Sequence, residues 1–261
     1  MLFTVENIPA ATYASVVSVV PSLTELLYDL GLSEEVKGIT KFCVRPQKWL
    51  QEKTKVGGTK NLDVEKIKSL RPGLIIANKE ENQKEQIETL ALACDVLLTD
   101  IDSLATAILA IKNIGIITGR SEKANEIAYE IEKKFFMLQQ KISGKPKLNA
   151  AYFIWKKPFM VAGGNTFIND MMMQCGLQNV FVHRERYPHI NPDEFLSEQI
   201  NCELVILSSE PFPFREKHIG EFQKICPGAK VTLADGEMFS WYGSRLLEAA
   251  GYFENFRNGI L

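Results

Sequence analysis

The chain has 261 residues, 46% of them apolar and 24% charged, with 30 basic against 32 acidic side chains. That balance belongs to an ordinary folded domain and excludes a disordered or fibrous chain. A net charge of −2 without a basic stripe excludes a general nucleic-acid binder.

The N-terminus lacks the pattern of a secretory leader. The first basic residue is Lys37, Glu6 lies near the start, and Pro9 and Pro21 interrupt the uncharged stretch. No run of about 18 apolar residues predicts a membrane span. As written, the chain reads as cytoplasmic, or as a mature form without its leader. Cys43, Cys94, Cys175, Cys202 and Cys226 form no C-x-x-C pair and read as free, mostly buried thiols.

In chain order, Ser15–Val20 is apolar and β-branched and predicts a buried strand that Pro21 stops. Ser22, Leu23, Thr24 and Glu25 fit a capping box at the head of a helix that ends at Gly31. Val36–Thr40 predicts a second strand, Asp63–Leu70 a helix, Leu74–Ala77 a strand, Glu81–Leu92 a helix and Val96–Thr99 a strand. Ser103–Thr118 and Ser121–Ile142 predict consecutive helices. The second carries Ile127, Ile131, Phe135 and Leu138 on one face, and its 22 residues reach about 33 Å.

The alternation then restarts. Ala150–Ile154, Leu204–Leu207 and Lys230–Leu233 predict strands, and Asn165–Gln174, Lys217–Ile225 and Ser244–Phe256 predict helices. The expected fold is therefore α/β, with two Rossmann-like lobes built on mainly parallel sheets and joined by one long rigid helix. The boundaries fall at 1–102, 103–143 and 144–261. The lobes echo one another: helix DVEKIKSL, then LIIA, then NKEEN, against helix PDEFLSEQI, then LVIL, then SSEPF. Each half carries a glutamate early in a helix, Glu65 and Glu194, and another after a strand, Glu80 and Glu210.

Ligands of open α/β sheets sit beyond the carboxyl ends of the strands. The loops expected there in the second half are aromatic, with Trp155, Phe159, Phe212, Phe239, Trp241 and Tyr242, and they hold Glu210, Glu237 and Arg245 as polar groups. Aromatic walls with a few polar groups are the usual lining of a small-molecule site; core packing accounts for half or more of such aromatics, and Trp241 and Tyr242, in a Gly-, Ser- and Asp-rich turn off any periodic face, read as site residues. In the first half, Cys43 is a candidate soft ligand and Asn78 opens the loop after the LIIA strand. The sequence has no P-loop, G-x-S-x-G or H-E-x-x-H motif. Ala162-Gly163-Gly164-Asn165 reads as a tight turn, with an anion cradle as the alternative. His183, His189 and His218 lack metal-ligand spacing, so no metal site is expected.

The segments VVSVVPSLTELLYDLGL, VGGTKNLDVEKIKSLRPGLIIA, WKKPFMVAGGNTFINDMMMQCGLQNVF and DGEMFSWYGSR, in that order, resemble the cobalamin- and ferric-siderophore-binding proteins of bacterial ABC importers. Gly73 stands where that family commonly has Asp. The resemblance covers nearly the whole chain. It implies a helical-backbone periplasmic binding protein, with the ligand clamped between two lobes and little hinge motion. The implied function is non-enzymatic: binding a cobalamin-like corrinoid or an iron chelate, with no cofactor required, and delivering it to an ABC permease. Trp155, Phe239, Trp241 and Arg245 fall at the family's ligand-contacting positions. Glu65 and Glu194, with Asp193 as the alternative to Glu194, fall where one acidic residue per lobe docks on the permease. The resemblance implies a periplasmic or cell-surface monomer. A cytoplasmic corrinoid- or metal-handling protein, or an enzyme with Asp235, Glu237 and Glu210 at its centre, is the second reading. A bare-metal receptor is the third.

Overall fold

The computed structural model describes residues 1–196 and 200–260. Its backbone divides into two compact units. One comprises residues 1–101, 105–132 and 242–247; the other comprises 102–104, 133–241 and 248–261. The partition cuts across the expected boundaries. The two helices expected as a connecting segment contribute mainly to the first unit up to Glu132, and a short stretch near the C-terminus, Tyr242–Leu247, also belongs there.

The first unit contains β1 (Leu2–Phe3), β2 (Val16–Ser18), α1 (Pro21–Asp29), β3 (Val36–Ile39), α2 (Gln47–Glu52), β4 (Thr54–Lys55), the short pair β5 (Gly57–Gly58) and β6 (Asn61–Leu62), α3 (Val64–Ser69), β7 (Leu74–Asn78), α4 (Lys84–Ala91), β8 (Asp95–Thr99) and most of α5 (Leu104–Ile117). Its six-stranded sheet is parallel throughout, in the order β1-β8-β7-β2-β3-β4. Val17, Val19, Ile75, Ala77 and Val96 form the core beneath the helices, and every residue of β7 is buried. Such continuous apolar strands are what a parallel sheet covered on both faces requires.

The 22-residue α6 (Ser121–Ile142) contributes its first half to one unit and its second half to the other. Ile127, Ile131, Phe135 and Leu138 are all buried, as their spacing requires. The second unit contains β9 (Leu148–Trp155), β10 (Met160–Val161), α7 (Phe167–Gln174), β11 (Leu177–Asn179), α8 (Asp193–Leu196), β12 (Leu204–Ser208), a 3-10 turn (Glu216–His218), α9 (Ile219–Ile225), β13 (Lys230–Ala234), α10 (Gly236–Ser240) and α11 (Leu246–Ile260). The first residues of α11, through Leu247, belong to the first unit. β9, β12 and β13 run parallel, β11 adds to β9 in parallel and β10 is antiparallel. The part of the expected PDEFLSEQI helix at 197–199 lies outside the described residues. Among the described residues, no helix is long and apolar enough to cross a membrane.

Three local expectations are corrected. The capping box at Ser22 and Glu25 does not form, because Pro21 occupies the first helical turn and Val20 becomes the cap without a side-chain bond. Thr24 instead bonds Ser18 Oγ at 2.7 Å and the Val20 carbonyl at 2.9 Å, and Glu25 is taken by Arg245. α4 starts at Lys84 and not at Glu81. Asn78 Oδ1 accepts the N–H groups of Glu80 and Glu81, which holds that stretch in a turn. The Gly163–Gly164 pair is neither a tight turn nor an anion cradle. Its two N–H groups bond the carbonyls of Arg186 and Arg184, and a Cβ on Gly163 would lie 2.1 Å from the Arg184 oxygen.

Candidate functional site

In the first unit, the loops after β3 and β7 are braced from inside. Cys43 is 0% exposed, with its sulfur 3.1 Å from Thr24 Oγ1 and 3.2 Å from Thr40 Oγ1. Burial pushes its thiol up from the ordinary range. Cys43 therefore holds its loop down and presents no sulfur to a ligand, which corrects its reading as a soft ligand. Its neighbour Phe42 is the outward residue, 52% exposed, with Lys41 Nζ 5.1 Å from the ring centre. Phe42 is not among the sequence candidates; it sits in the turn closed by the Cys43 N–H on the Thr40 carbonyl, which sends neighbouring side chains to different sides.

Asn78 is likewise a brace. Its Nδ2 donates to Thr99 Oγ1 at 3.1 Å, and its backbone N–H donates to Asn82 Oδ1 at 2.8 Å. Asn82 in turn donates to the carbonyls of Val19 and Thr59, so both side chains have structural partners. Two groups of the 242–247 stretch meet carboxylates of the same unit. Tyr242 donates to Glu81 Oε1 at 2.8 Å, and Arg245 makes a two-pronged pair with Glu25, with Nε at 3.0 Å from Oε2 and Nη2 on Oε1. Burial pushes the Glu25 carboxyl up to about 7, and this outweighs the attraction of the guanidinium. The expected ligand-facing Tyr242 and Arg245 are both buried here. An open hollow of about 510 Å³, lined by Glu25, Tyr28, Asp29 and Arg45 among others, lies beside this pair.

In the second unit, Trp155 closes β9 and is 38% exposed. Its ring meets Phe212, from the loop after β12, edge to face at 5.7 Å. The adjacent parallel strands β9 and β12 thus bring together two residues 57 positions apart in sequence at their carboxyl ends. Phe212 packs on Phe214 at 4.7 Å, and Phe214 packs on Phe222, so the half-buried Phe212 is anchored from below. Phe159 turns inward against Phe153 and Phe222. Phe239 is 0% exposed, with its ring 5.1 Å from Tyr152 and 4.6 Å from Phe253, which corrects its reading as a ligand contact to that of a core residue.

Glu210 Oε1 accepts from Ser240 Oγ at 2.6 Å and from Trp241 Nε1 at 3.0 Å. Trp241 is buried, and its indole N–H finds the partner that a buried indole needs. Burial pushes the Glu210 carboxyl upward, and the nearby Glu237 adds to the shift. Asp235 accepts from the Glu237 N–H as the cap of α10. A Cβ on Gly236 would meet Ser208 Oγ and Glu210 Cγ at 2.5 Å, so glycine is what lets α10 approach. The carboxylates that motivated the enzyme reading are thus a cap, a half-buried hydrogen-bond acceptor and its half-buried neighbour. Among the described residues, no three His, Cys, Asp or Glu side chains converge to hold a metal ion.

The acidic docking candidates differ in availability. Glu65 is exposed in the first turn of α3 and pairs only locally, with Lys68 at 2.9 Å. Glu194 accepts from Arg184 on both oxygens and from the Asn191 N–H at 2.8 Å, and the guanidinium holds its carboxyl below the usual range. Asp193 beside it is exposed.

A family model described as "Periplasmic binding protein" matches residues 16–224. The vitamin B12-binding protein of Salmonella paratyphi A is 22% identical over 248 residues, covering 94% of this chain and 91% of that one. Among solved structures, the periplasmic vitamin B12 binding protein of Vibrio cholerae superposes with a TM-score of 0.81 at 18% identity, covering 95% of this chain and 98% of that chain. A periplasmic heme binding protein from Pseudomonas aeruginosa gives 0.80 at 19% identity, with coverage of 95% and 94%. The two mainly parallel sheets and the long α6 are the fold these proteins share. Since the family model spans most of its length, the chain belongs to the periplasmic binding protein family, as a substrate-binding protein of the ABC-importer type and not an enzyme.

Proposed function

We propose that this protein captures a large, flat metal chelate, either a cobalamin-like corrinoid or an iron chelate of the heme or siderophore kind, outside the cytoplasmic membrane and hands it to an ABC permease. The observation that carries the ligand class is the Trp155–Phe212 pair, an exposed indole backed by a half-buried ring at the carboxyl ends of two parallel strands. Aromatic faces suit the broad apolar surface of a macrocycle, and relatives named for vitamin B12 and heme lie on both sides of the choice. Phe42 offers a second exposed ring at a strand end in the first unit.

Titration with cyanocobalamin, hemin and a ferric siderophore, followed by tryptophan fluorescence, tests this. One of them is expected to quench. Trp155→Ala is expected to weaken that ligand by at least about tenfold, the scale of losing one aromatic anchor. A folded sample that responds to none of the three refutes the reading.

Permease docking is assigned to Glu65 and Asp193, because Glu194 is already engaged by Arg184. Reversing both charges, Glu65→Lys with Asp193→Lys, is expected to leave ligand affinity unchanged and to cut ligand uptake in the native host by more than about tenfold, since like charges facing each other across an interface cost several kcal/mol. Uptake at the unaltered rate with the double variant present would remove both residues from the docking surface.

A further inference from the structure

Cys202 and Cys226 stand apart from the other three cysteines. Cys43 sits between two threonine hydroxyls, Cys94 bonds the Leu90 carbonyl and Cys175 bonds the Phe253 carbonyl. Cys202 bonds the Leu204 carbonyl at 3.2 Å and shares a surface hollow with Cys226. Cys202 precedes β12 by two residues, and Cys226 ends α9 just before β13. β12 and β13 are adjacent parallel strands, and the Lys230 N–H bonds the Glu203 carbonyl at 2.9 Å. The Ala229 N–H bonds the Cys226 carbonyl at 3.2 Å, which folds the chain back and brings Cys226 beside Cys202. Each thiol is the strongest single influence on the other's titration. Both are buried, at 8% and 6% exposed, and both line a surface hollow of about 490 Å³ together with Phe195, Asn201 and Pro227.

We propose that Cys202 and Cys226 are a redox pair that closes into a disulfide on reaction with a small-molecule disulfide. The neighbouring Cys202 holds the Cys226 thiol below its ordinary range, while Cys226 and burial raise Cys202, so Cys226 is the first to give up its proton. The Cys226 thiolate attacks one sulfur of the donor disulfide. An S–S bond forms to Cys226 and the donor S–S bond breaks, expelling one thiolate. Cys202 then loses its proton and attacks Cys226 Sγ, which expels the second thiolate. The two protein thiols give up two electrons and two protons, and the donor disulfide ends as two thiols. The product staples the start of β12 to the turn before β13 and closes a loop that contains the 3-10 turn and α9.

The test uses the whole protein, reduced, freed of reductant and incubated with oxidised glutathione. Intact mass, thiol titration in denaturant and a peptide map are then read. The expected product is lighter by two hydrogens, titrates two fewer thiols and yields one cross-linked peptide joining Cys202 to Cys226. Cys202→Ser is expected to stop after the first attack and carry one glutathione on Cys226. An unchanged thiol count in the native protein, or glutathione on Cys94 alone, overturns the pair. An unmodified Cys226 in Cys202→Ser overturns the assigned order of attack. The readout is covalent and needs no transported ligand, so it stands or falls separately from the chelate-binding reading.

Discussion

Arg245→Met is expected to destabilise the protein by about 3–5 kcal/mol at pH 8, the usual cost of leaving one half of a buried ion pair without its partner. In the native protein Arg245 and Glu25 meet through two hydrogen bonds, and Glu25 nonetheless titrates at about 7 against an ordinary 4.5 because burial disfavours its charge. The sign of the pH dependence follows. Between 4.5 and about 7 the native state holds a proton on Glu25 that the unfolded chain has released, so Glu25 subtracts stability as pH rises through that window and no further above it. Without the guanidinium the native carboxyl titrates higher still, and the loss continues past pH 7. The deficit of the variant should therefore be larger at pH 8 than near pH 5, by up to about 1.4 kcal/mol for the one pH unit above 7. Glu25→Met combined with Arg245→Met should regain most of it, since an apolar pair leaves no charge uncompensated. Urea denaturation of the three variants at both pH values measures this. Equal deficits at the two pH values would show that the pair is not what Arg245 contributes.

Phe239→Ala is expected to cost about 3–5 kcal/mol, the range for emptying a buried aromatic site. Its ring is fully enclosed by Tyr152, Phe253, Tyr252 and Phe256, and none of that volume is open to a ligand. The same measurements on Trp155→Ala should show the opposite profile, with little change in stability and a large loss of chelate affinity, because Trp155 projects from the end of β9. A Phe239→Ala protein of native stability but reduced affinity would return Phe239 to the binding surface.

These contrasts show what was legible from the residues. The strands Val16–Ser18, Leu74–Asn78 and Leu204–Ser208 announce themselves as apolar runs because both faces of their sheets are covered. α6 is visible because four apolar side chains at helical spacing need no tertiary information. Asp63, where the sequence places a helix start, caps α3 through its own side chain. The limits appear wherever a local signal competes with a distant partner. The box at Ser22 and Glu25 is locally sound, but Glu25 belongs to Arg245, a residue from the far end of the chain. The glycines at 163 and 164 suit a turn in isolation, but their N–H groups are taken by the 184–186 segment.

Among the site candidates, residue type alone did not say which side chains turn inward. Cys43, Asn78 and Phe239 turn inward, and Phe42 and Trp155 turn outward. Glu194 satisfies every sequence requirement for an available carboxylate until Arg184 claims it.

The sequence by itself determined the class of fold, the restart of the α/β pattern and the continuous helix through its middle, because periodicity and capping act within a few residues. Tertiary structure decided which unit the 242–247 stretch joins, which carboxylates are taken by partners outside their own helix, which aromatics face solvent and which two of five cysteines share a hollow. Those outcomes depend on burial and on partners far apart along the chain, where desolvation and pairing outweigh any local preference.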